Sequence, residues 1–294
     1  MRTLKKIMFD NDGVNIDSED AAMRVMDDWG TSLVRQYKPD AELPQDYIYR
    51  TYPGTSTDRI VDALIDKFEL PEEKIREDYS IPDGRETGEF LADLITIETN
   101  NHFREHLTAI PGAVAALKEI QSMFGQDNIC LATTSRADRM DVSLACAIDP
   151  ETGKNADLEA VYPKGALRRS GYGHQNKYEE AFGATGWNPA ETVVIEDSRS
   201  GVSKAIAAAK DVRVIGTVAA RFYEDKAAQA KNLINDGASI VISNFLDLPK
   251  AVKWLDNGLD LAQKPDFHSP VYTANSFDKV SPLLVHGAAP TPSV

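Results

Sequence analysis

The sequence predicts an α/β protein: a parallel sheet with helices on both faces, interrupted by an inserted all-helical domain. Three observations carry that expectation. Short apolar runs that suit buried strands recur at residues 6–10, 128–132, 158–162, 192–195, 212–217 and 239–242. Helical patterns separate most of these runs, and strands alternating with helices favour a parallel sheet. Residues 18–108 hold no convincing strand, and so long a helical stretch after a single strand makes a second domain.

Taken in order, the first strand is the run Ile7-Met8-Phe9, ending in Asp10-Asn11-Asp12-Gly13. Three helical stripes follow. Met23, Met26, Leu33, Val34 and Tyr37 make the first, and Ile60, Val61, Leu64, Ile65 and Phe68 the second. Phe90, Leu91, Leu94 and Ile95 begin a third, which continues to Phe103 and Leu107. Pro44, Pro53-Gly54, Pro71 and Pro82-Asp83-Gly84 punctuate them. Val114, Leu117, Ile120 and Met123 share a helix face before the second strand, and residues 202–209 form an Ala-rich helix. Beyond Asn257 the apolar residues lose their period. The expected division is therefore 1–16 with 109–256 as the α/β domain, 17–108 as the helical domain, and 257–294 as an irregular tail.

Composition narrows the function. The chain has 294 residues, long enough to bury a sizeable core. Hydrophobic residues make up 42% and charged residues 27%, which fits a globular protein and not a disordered one. A net charge of −14 disfavours nucleic acid or an anionic membrane as the main partner, since both need a basic surface. It leaves room for a small anionic ligand held by a few local groups. Cys130 and Cys146 sit in apolar surroundings without metal-binding spacing and are expected as buried, reduced thiols. The N-terminal residues lack a signal-peptide pattern, and no run approaches the roughly 18 apolar residues of a membrane span. A cytoplasmic protein is expected.

The acids lie where an open α/β sheet builds its site, at the carboxyl ends of strands. Asp10 and Asp12 follow the first strand; Glu196 and Asp197 follow Val193-Val194-Ile195 and precede a helix. Acids beside a helix start are often caps. If the two strands are neighbours, however, Asp10 and Asp197 converge on one cation, and hard oxygen ligands suit magnesium. The second strand ends in Thr133-Thr134-Ser135, whose hydroxyls and backbone N–H groups suit phosphate oxygens.

Phe9-Asp10-Asn11-Asp12-Gly13-Val14 with Asp17-Ser18-Glu19 resembles the first motif of the haloacid dehalogenase superfamily, in the subgroup of β-phosphoglucomutase and small phosphatases. Val194-Ile195-Glu196-Asp197-Ser198 with Gly201-Val202 resembles the fourth motif, and residues 131–135 the second. The resemblance spans roughly residues 4–250 and implies a Rossmann-like core with a mobile helical cap. It implies that Asp10 is the nucleophile, forming an aspartyl-phosphate. Asp12 would protonate the leaving oxygen and then activate water. Asp197, with Glu196, Asp10 and Asp12, would hold Mg2+, and Thr133, Thr134 and Ser135 would hold the phosphoryl group. Gly54-Thr55-Ser56 resembles the cap loop that faces substrate, with Arg50 and Arg59 nearby. The implied reaction is Mg2+-dependent hydrolysis of a small phosphorylated metabolite.

The third motif departs from the family pattern. Its lysine is expected at Lys177, which opens a helix, with Lys164 as the competitor. The mutase alternative is disfavoured because the mutase histidine, ten residues after the second Asp, is replaced by Ala22, and no His occurs in residues 1–101. A receiver-like phosphoacceptor module is disfavoured by the long insertion. His102-Phe103-Arg104-Glu105-His106 fits an H-x-x-E-H zinc pattern, but an exposed helix face explains it better. No P-loop or G-x-G-x-x-G is present.

Overall fold

A computed structural model describes residues 3–277 except 53–54, 166 and 224. The chain opens with β1 (Lys6–Phe9), whose Ile7, Met8 and Phe9 are wholly buried. It then passes through five helices: α1 (Ser18–Tyr37), α2 (Tyr47–Thr51), α3 (Thr57–Lys67), α4 (Glu72–Asp78) and α5 (Thr87–His106). The three predicted stripes are α1, α3 and α5. The short α2 and α4 fall between them, too brief to show a period. This block has its own apolar core, built on Met26, Leu33, Ile48, Ile60, Leu64 and Leu91.

The block leaves and rejoins the sheet at adjacent points. The N–H of Asp17 donates to the carbonyl of Thr108 at 2.9 Å, and that of Ile110 to Asn15 at 2.9 Å. Next come α6 (Ala113–Phe124), β2 (Ile129–Thr133) and α7 (Ala137–Cys146). A small antiparallel hairpin of β3 (Ile148–Asp149) and β4 (Lys154–Asn155) follows. The expected strand at 158–162 is instead a helical turn, α8 (Leu158–Val161). A short apolar run suits a buried helix as well as a strand. The strand here is β5 (Arg168–Ser170), which hydrophobicity could not reveal because it is a polar edge strand. Its Arg168 pairs with Asp141 and its Arg169 with Glu180.

The chain continues through α9 (Lys177–Thr185), β6 (Thr192–Glu196), α10 (Arg199–Ala208), β7 (Arg213–Thr217), α11 (Lys226–Asn235), β8 (Ile240–Ile242) and α12 (Leu248–Asp256). The stretch expected to be an irregular tail adds β9 (Val271–Tyr272), antiparallel to β8, and α13 (Ala274–Phe277). Two residues of strand are too few for periodicity to reveal. The sheet order is β5-β2-β1-β6-β7-β8-β9, parallel except for β9.

Pleating divides the core in two. Ile7 and Phe9 point to one face, where α6, α8 and α12 pack; Met8 points to the other, against α9, α10 and α11. Both faces are covered, so the central strands are continuous apolar runs that end abruptly in acids. Cys130 is buried and Cys146 only half-buried, both as free thiols. No described helix is long and apolar enough to cross a membrane.

Candidate active site at the carboxyl ends of β1, β2 and β6

The sheet order makes β1 the neighbour of both β2 and β6, with Phe9 opposite Leu131 on one side and Ile195 on the other. This register delivers Asp10, Thr133 and Glu196-Asp197 to one place. A cleft of about 620 Å³ opens there, lined by Asp10, Asp12, Thr134, Asp197, Ser198 and Tyr223 among others.

Asp10, Glu196 and Asp197 are buried, and one carboxylate oxygen from each lies within 4.8 Å of the others. Lys177 is the counter-charge. Its Nζ lies 2.7 Å from Asp10 and 2.8 Å from Glu196, with the side chain 4% exposed. It stands at the start of α9, where the Asn176 side chain caps the helix by accepting from the Tyr178 N–H. The other candidate, Lys164, is exposed and pairs with Asp141 at 3.2 Å. The geometry therefore brings Lys177 to Asp10 and leaves Lys164 on the surface.

Two glycines permit the close approach. A Cβ on Gly13, whose φ is +75°, would lie 1.8 Å from Oδ2 of Asp197. A Cβ on Gly171 would lie 2.5 Å from Cβ of Lys177. Either side chain would push a charged group out of place.

The electrostatics differ residue by residue. Burial lifts Asp10 to about 7, against the opposing pull of Lys177. Burial also lifts Asp197 well above the usual carboxylate range, helped by the charges of Glu196 and Asp10. Burial would raise Glu196 too, but Lys177 and hydrogen bonds hold it low. Burial likewise opposes the Lys177 charge, and Asp10 and Glu196 more than reverse it. The set is one ammonium against three carboxylates, an excess of negative charge in a low-dielectric site. All its donors are hard oxygens, which fit Mg2+ and not a soft metal.

Within that set Glu196 is already engaged. Its Oε1 meets Lys177 and accepts from the Tyr178 hydroxyl at 2.8 Å. Its Oε2 accepts from the N–H groups of Asp197 and Ser198, each at 3.0 Å, and from the Ser198 hydroxyl at 3.1 Å. Asp197 instead accepts a 2.8 Å hydrogen bond from the Tyr223 hydroxyl at Oδ2.

Asp12 stands apart from the acidic cluster. Its carboxylate accepts from the hydroxyls of Ser18 at 2.5 Å, Ser135 at 2.8 Å and Thr133 at 3.1 Å. Burial opposes its charge, but Arg139 and these hydroxyls prevail and hold it below the usual range. Two acids two residues apart thus have opposite environments.

Other expected residues are scattered. Thr133 is buried, while Thr134 is exposed and lines the cleft. Gly54 lies outside the described residues. Thr55 is half-buried, and the exposed Ser56 lines a second, neighbouring cleft. Arg50 pairs with Asp46 at 3.6 Å, and Arg59 is exposed. The rings of His102 and His106 lie 4.6 Å apart on α5, and no third metal-ligating side chain joins them among the described residues. Sequence reasoning missed Tyr178, Tyr223 and Arg139. Tyr178 had a signal, its place beside Lys177; Tyr223 lies in a loop with no motif.

Fold and site together define an α/β protein with an acidic site at the sheet's carboxyl ends. The chain belongs to the haloacid dehalogenase-like hydrolase family, whose sequence profile matches residues 4–209. A search of curated proteins found no significant match. Solved structures share the fold at low identity. A conserved haloacid dehalogenase-like protein of unknown function from Agrobacterium tumefaciens is 22% identical, with a TM-score of 0.60 over 86% of this chain and 99% of its own. A HAD family hydrolase from Deinococcus radiodurans, solved with bound phosphate and sodium, is 20% identical, with a TM-score of 0.57 over 86% and 96%. A β-phosphoglucomutase from Clostridium difficile is 14% identical, with a TM-score of 0.55 over 87% and 99%.

Proposed function

We propose that the protein is a Mg2+-dependent phosphatase acting on a small phosphate monoester through an aspartyl-phosphate on Asp10. The observation that carries this reading is the ion-paired cluster. Lys177 sits 2.7 Å from Asp10 and bridges it to Glu196, with Asp197 alongside. That arrangement presents an aligned carboxylate with a fixed ammonium where phosphoryl charge develops.

Asp10 attacks phosphorus, the ester oxygen leaves with its electron pair, and Asp12 supplies the proton to it. Water, deprotonated by Asp12, then attacks the phosphorus of the acyl phosphate and frees Asp10. The three hydroxyl partners keep Asp12 ionised before substrate arrives. A phosphate dianion beside it raises its proton affinity, so Asp12 takes up a proton from solvent as substrate binds and then passes that proton to the leaving oxygen. Lys177 neutralises the phosphoryl oxygens, and Thr134 offers a hydroxyl at the cleft wall. Asp10 and Asp197 would hold Mg2+, with Glu196 mainly orienting Lys177 and the Asp197-Ser198 backbone. When bound, the ion neutralises phosphate charge and lowers the cost of approach by a carboxylate. In this reading residues 17–108 are a cap that excludes water during the transfer.

The test is phosphate release from a panel of monoesters, with Mg2+ and with chelator. Mg2+-dependent release from at least one ester is expected. No release from any ester, with hexose-phosphate isomerisation in the presence of a bisphosphate activator, would replace the phosphatase by a mutase.

A further inference from the structure

Three consecutive residues after β7 join Asp197 to the helical block. The Tyr223 hydroxyl lies 2.8 Å from Oδ2 of Asp197 and 3.1 Å from the Asp197 carbonyl oxygen. The same Oδ2 stands against Gly13, where an added Cβ would come within 1.8 Å, so it is held in a tight space. Phe222 belongs to the other unit. It packs against the apolar core of the helical block and meets the Tyr49 ring edge-to-face, with centroids 6.0 Å apart. The rings of Phe222 and Tyr223 are also 6.0 Å apart, inclined at 72°. Tyr49, on α2, is tied to α1 by its hydroxyl, which donates to Asp20 at 2.6 Å. Arg221 lies 3.9 Å from Asp17, just before the chain enters α1. Phe222 and Tyr223 both line the cleft at Asp10 and Asp197.

A carboxylate that ligates a cation is oriented by the hydrogen bonds it accepts, and removing such a partner typically weakens metal binding by about 10–100-fold. For Asp197 that donor comes from a loop whose preceding residue is seated in the helical block. The packed rings make a contiguous route from Tyr49 through Phe222 and Tyr223 to Asp197. We infer that Tyr223 is a positioning residue for a cation at Asp197, and that the contact of Phe222 with Tyr49 sets Tyr223, so that seating of the helical block raises the affinity for Mg2+. By linkage the converse holds, and Mg2+ raises the fraction of molecules in which the block is seated. This rests on Mg2+ at Asp10 and Asp197, as in the phosphatase reading above.

The experiment titrates Mg2+ calorimetrically, without substrate, into the full chain as wild type, Tyr223→Phe, Phe222→Ala and the double variant. Tyr223→Phe keeps the ring and loses the hydroxyl, and should weaken Mg2+ binding by about tenfold or more. Phe222→Ala should weaken it by about fivefold, the lower end of typical coupling between sites. In the Tyr223→Phe background Phe222→Ala should add nothing, because its effect passes through the hydroxyl. Unchanged affinity in Tyr223→Phe overturns the positioning role, and losses that simply add overturn the coupling. Hydrogen exchange of the wild type needs no folded variant. Mg2+ should slow exchange in α2, and equal exchange with and without Mg2+ overturns the coupling. Phosphate release separates the two readings. Mg2+ binding with these losses, but no release from any ester, keeps the coupling and removes the phosphatase. Mg2+-dependent release, with Tyr223→Phe binding Mg2+ as tightly as wild type, keeps the phosphatase and removes the coupling. A wild type that takes up no Mg2+ overturns the inference outright.

Discussion

The sheet-end site and the helical block handle charge in opposite ways. At the sheet end Asp10, Lys177, Glu196 and Asp197 are all buried; Lys177 fixes Asp10 and Glu196 by ionic contacts, and the Tyr223 hydroxyl holds Asp197. The block buries an apolar core of its own, while residues it turns toward the second cleft, such as Ser56 and Glu89, are exposed. The difference teaches where each kind of information is stored. Chemistry that depends on buried charge needs the rigid register of parallel strands. Selection among ligands can rest on exposed side chains whose replacement costs the fold little.

The largest expected effect breaks the sheet-end side. Lys177→Met removes the ammonium that pairs with Asp10 and Glu196 beside Asp197. Activity should fall by at least about 100-fold, and denaturant unfolding should show a loss of about 3–5 kcal/mol, the usual consequence of leaving a buried charge unpaired. Full activity in this variant would mean that the cluster is not the site.

A substitution in the block sharpens the contrast. Leu64 is wholly buried in the block's core. Leu64→Ala should cost about 2–5 kcal/mol. Limited proteolysis should then cut first within residues 17–108, because the damage is confined to that unit. First cleavage in the sheet domain would show that the two units unfold together.

The smallest expected effect is a pH dependence. Asp10 is lifted to about 7, mainly by burial, from an ordinary value of 3.8. The fold therefore favours its protonated form. That contribution to stability is complete below pH 3.8 and is lost as pH rises to about 7. Asp197, raised for the same first reason, acts in the same direction. In chelator, Tm should fall by several degrees from pH 5 to pH 8. Added Mg2+ should restore more at pH 8 than at pH 5, since it binds the ionised carboxylates. Equal restoration at both pH values would argue against a cation held by Asp10 and Asp197.

What was legible in the sequence follows the same division. Apolar runs such as Ile7-Met8-Phe9 and Val193-Val194-Ile195 are buried on both faces, so hydrophobicity alone locates them, and acids immediately after them are conspicuous. Asp10, Glu196 and Asp197 could be assembled that way, whereas Lys177 was expected only through the family resemblance, with Lys164 as its competitor; the geometry brings the four together. The edge of the sheet was not legible. Arg168-Arg169-Ser170 is a strand because it pairs with Leu131-Ala132-Thr133, not because its residues are apolar. Leu158 and Val161 are buried through a helical turn, which the same apolar run permits. The resemblance gave Asp10 and Asp12 different roles, but their opposite environments were not legible, because Ser18 and Ser135 reach Asp12 only through tertiary structure. Arg139 was hidden for the same reason: its charge reaches Asp12 only in the packed structure.

The central claim is that Asp10 takes up the phosphoryl group. Brief exposure to a labelled phosphate monoester with Mg2+, followed by acid quench and peptide mapping, tests it directly. The account predicts label on the peptide containing Asp10, absent from Asp10→Asn, whose turnover falls by at least about 1,000-fold. Turnover by Asp10→Asn at the wild-type rate, or label on another residue, would contradict it.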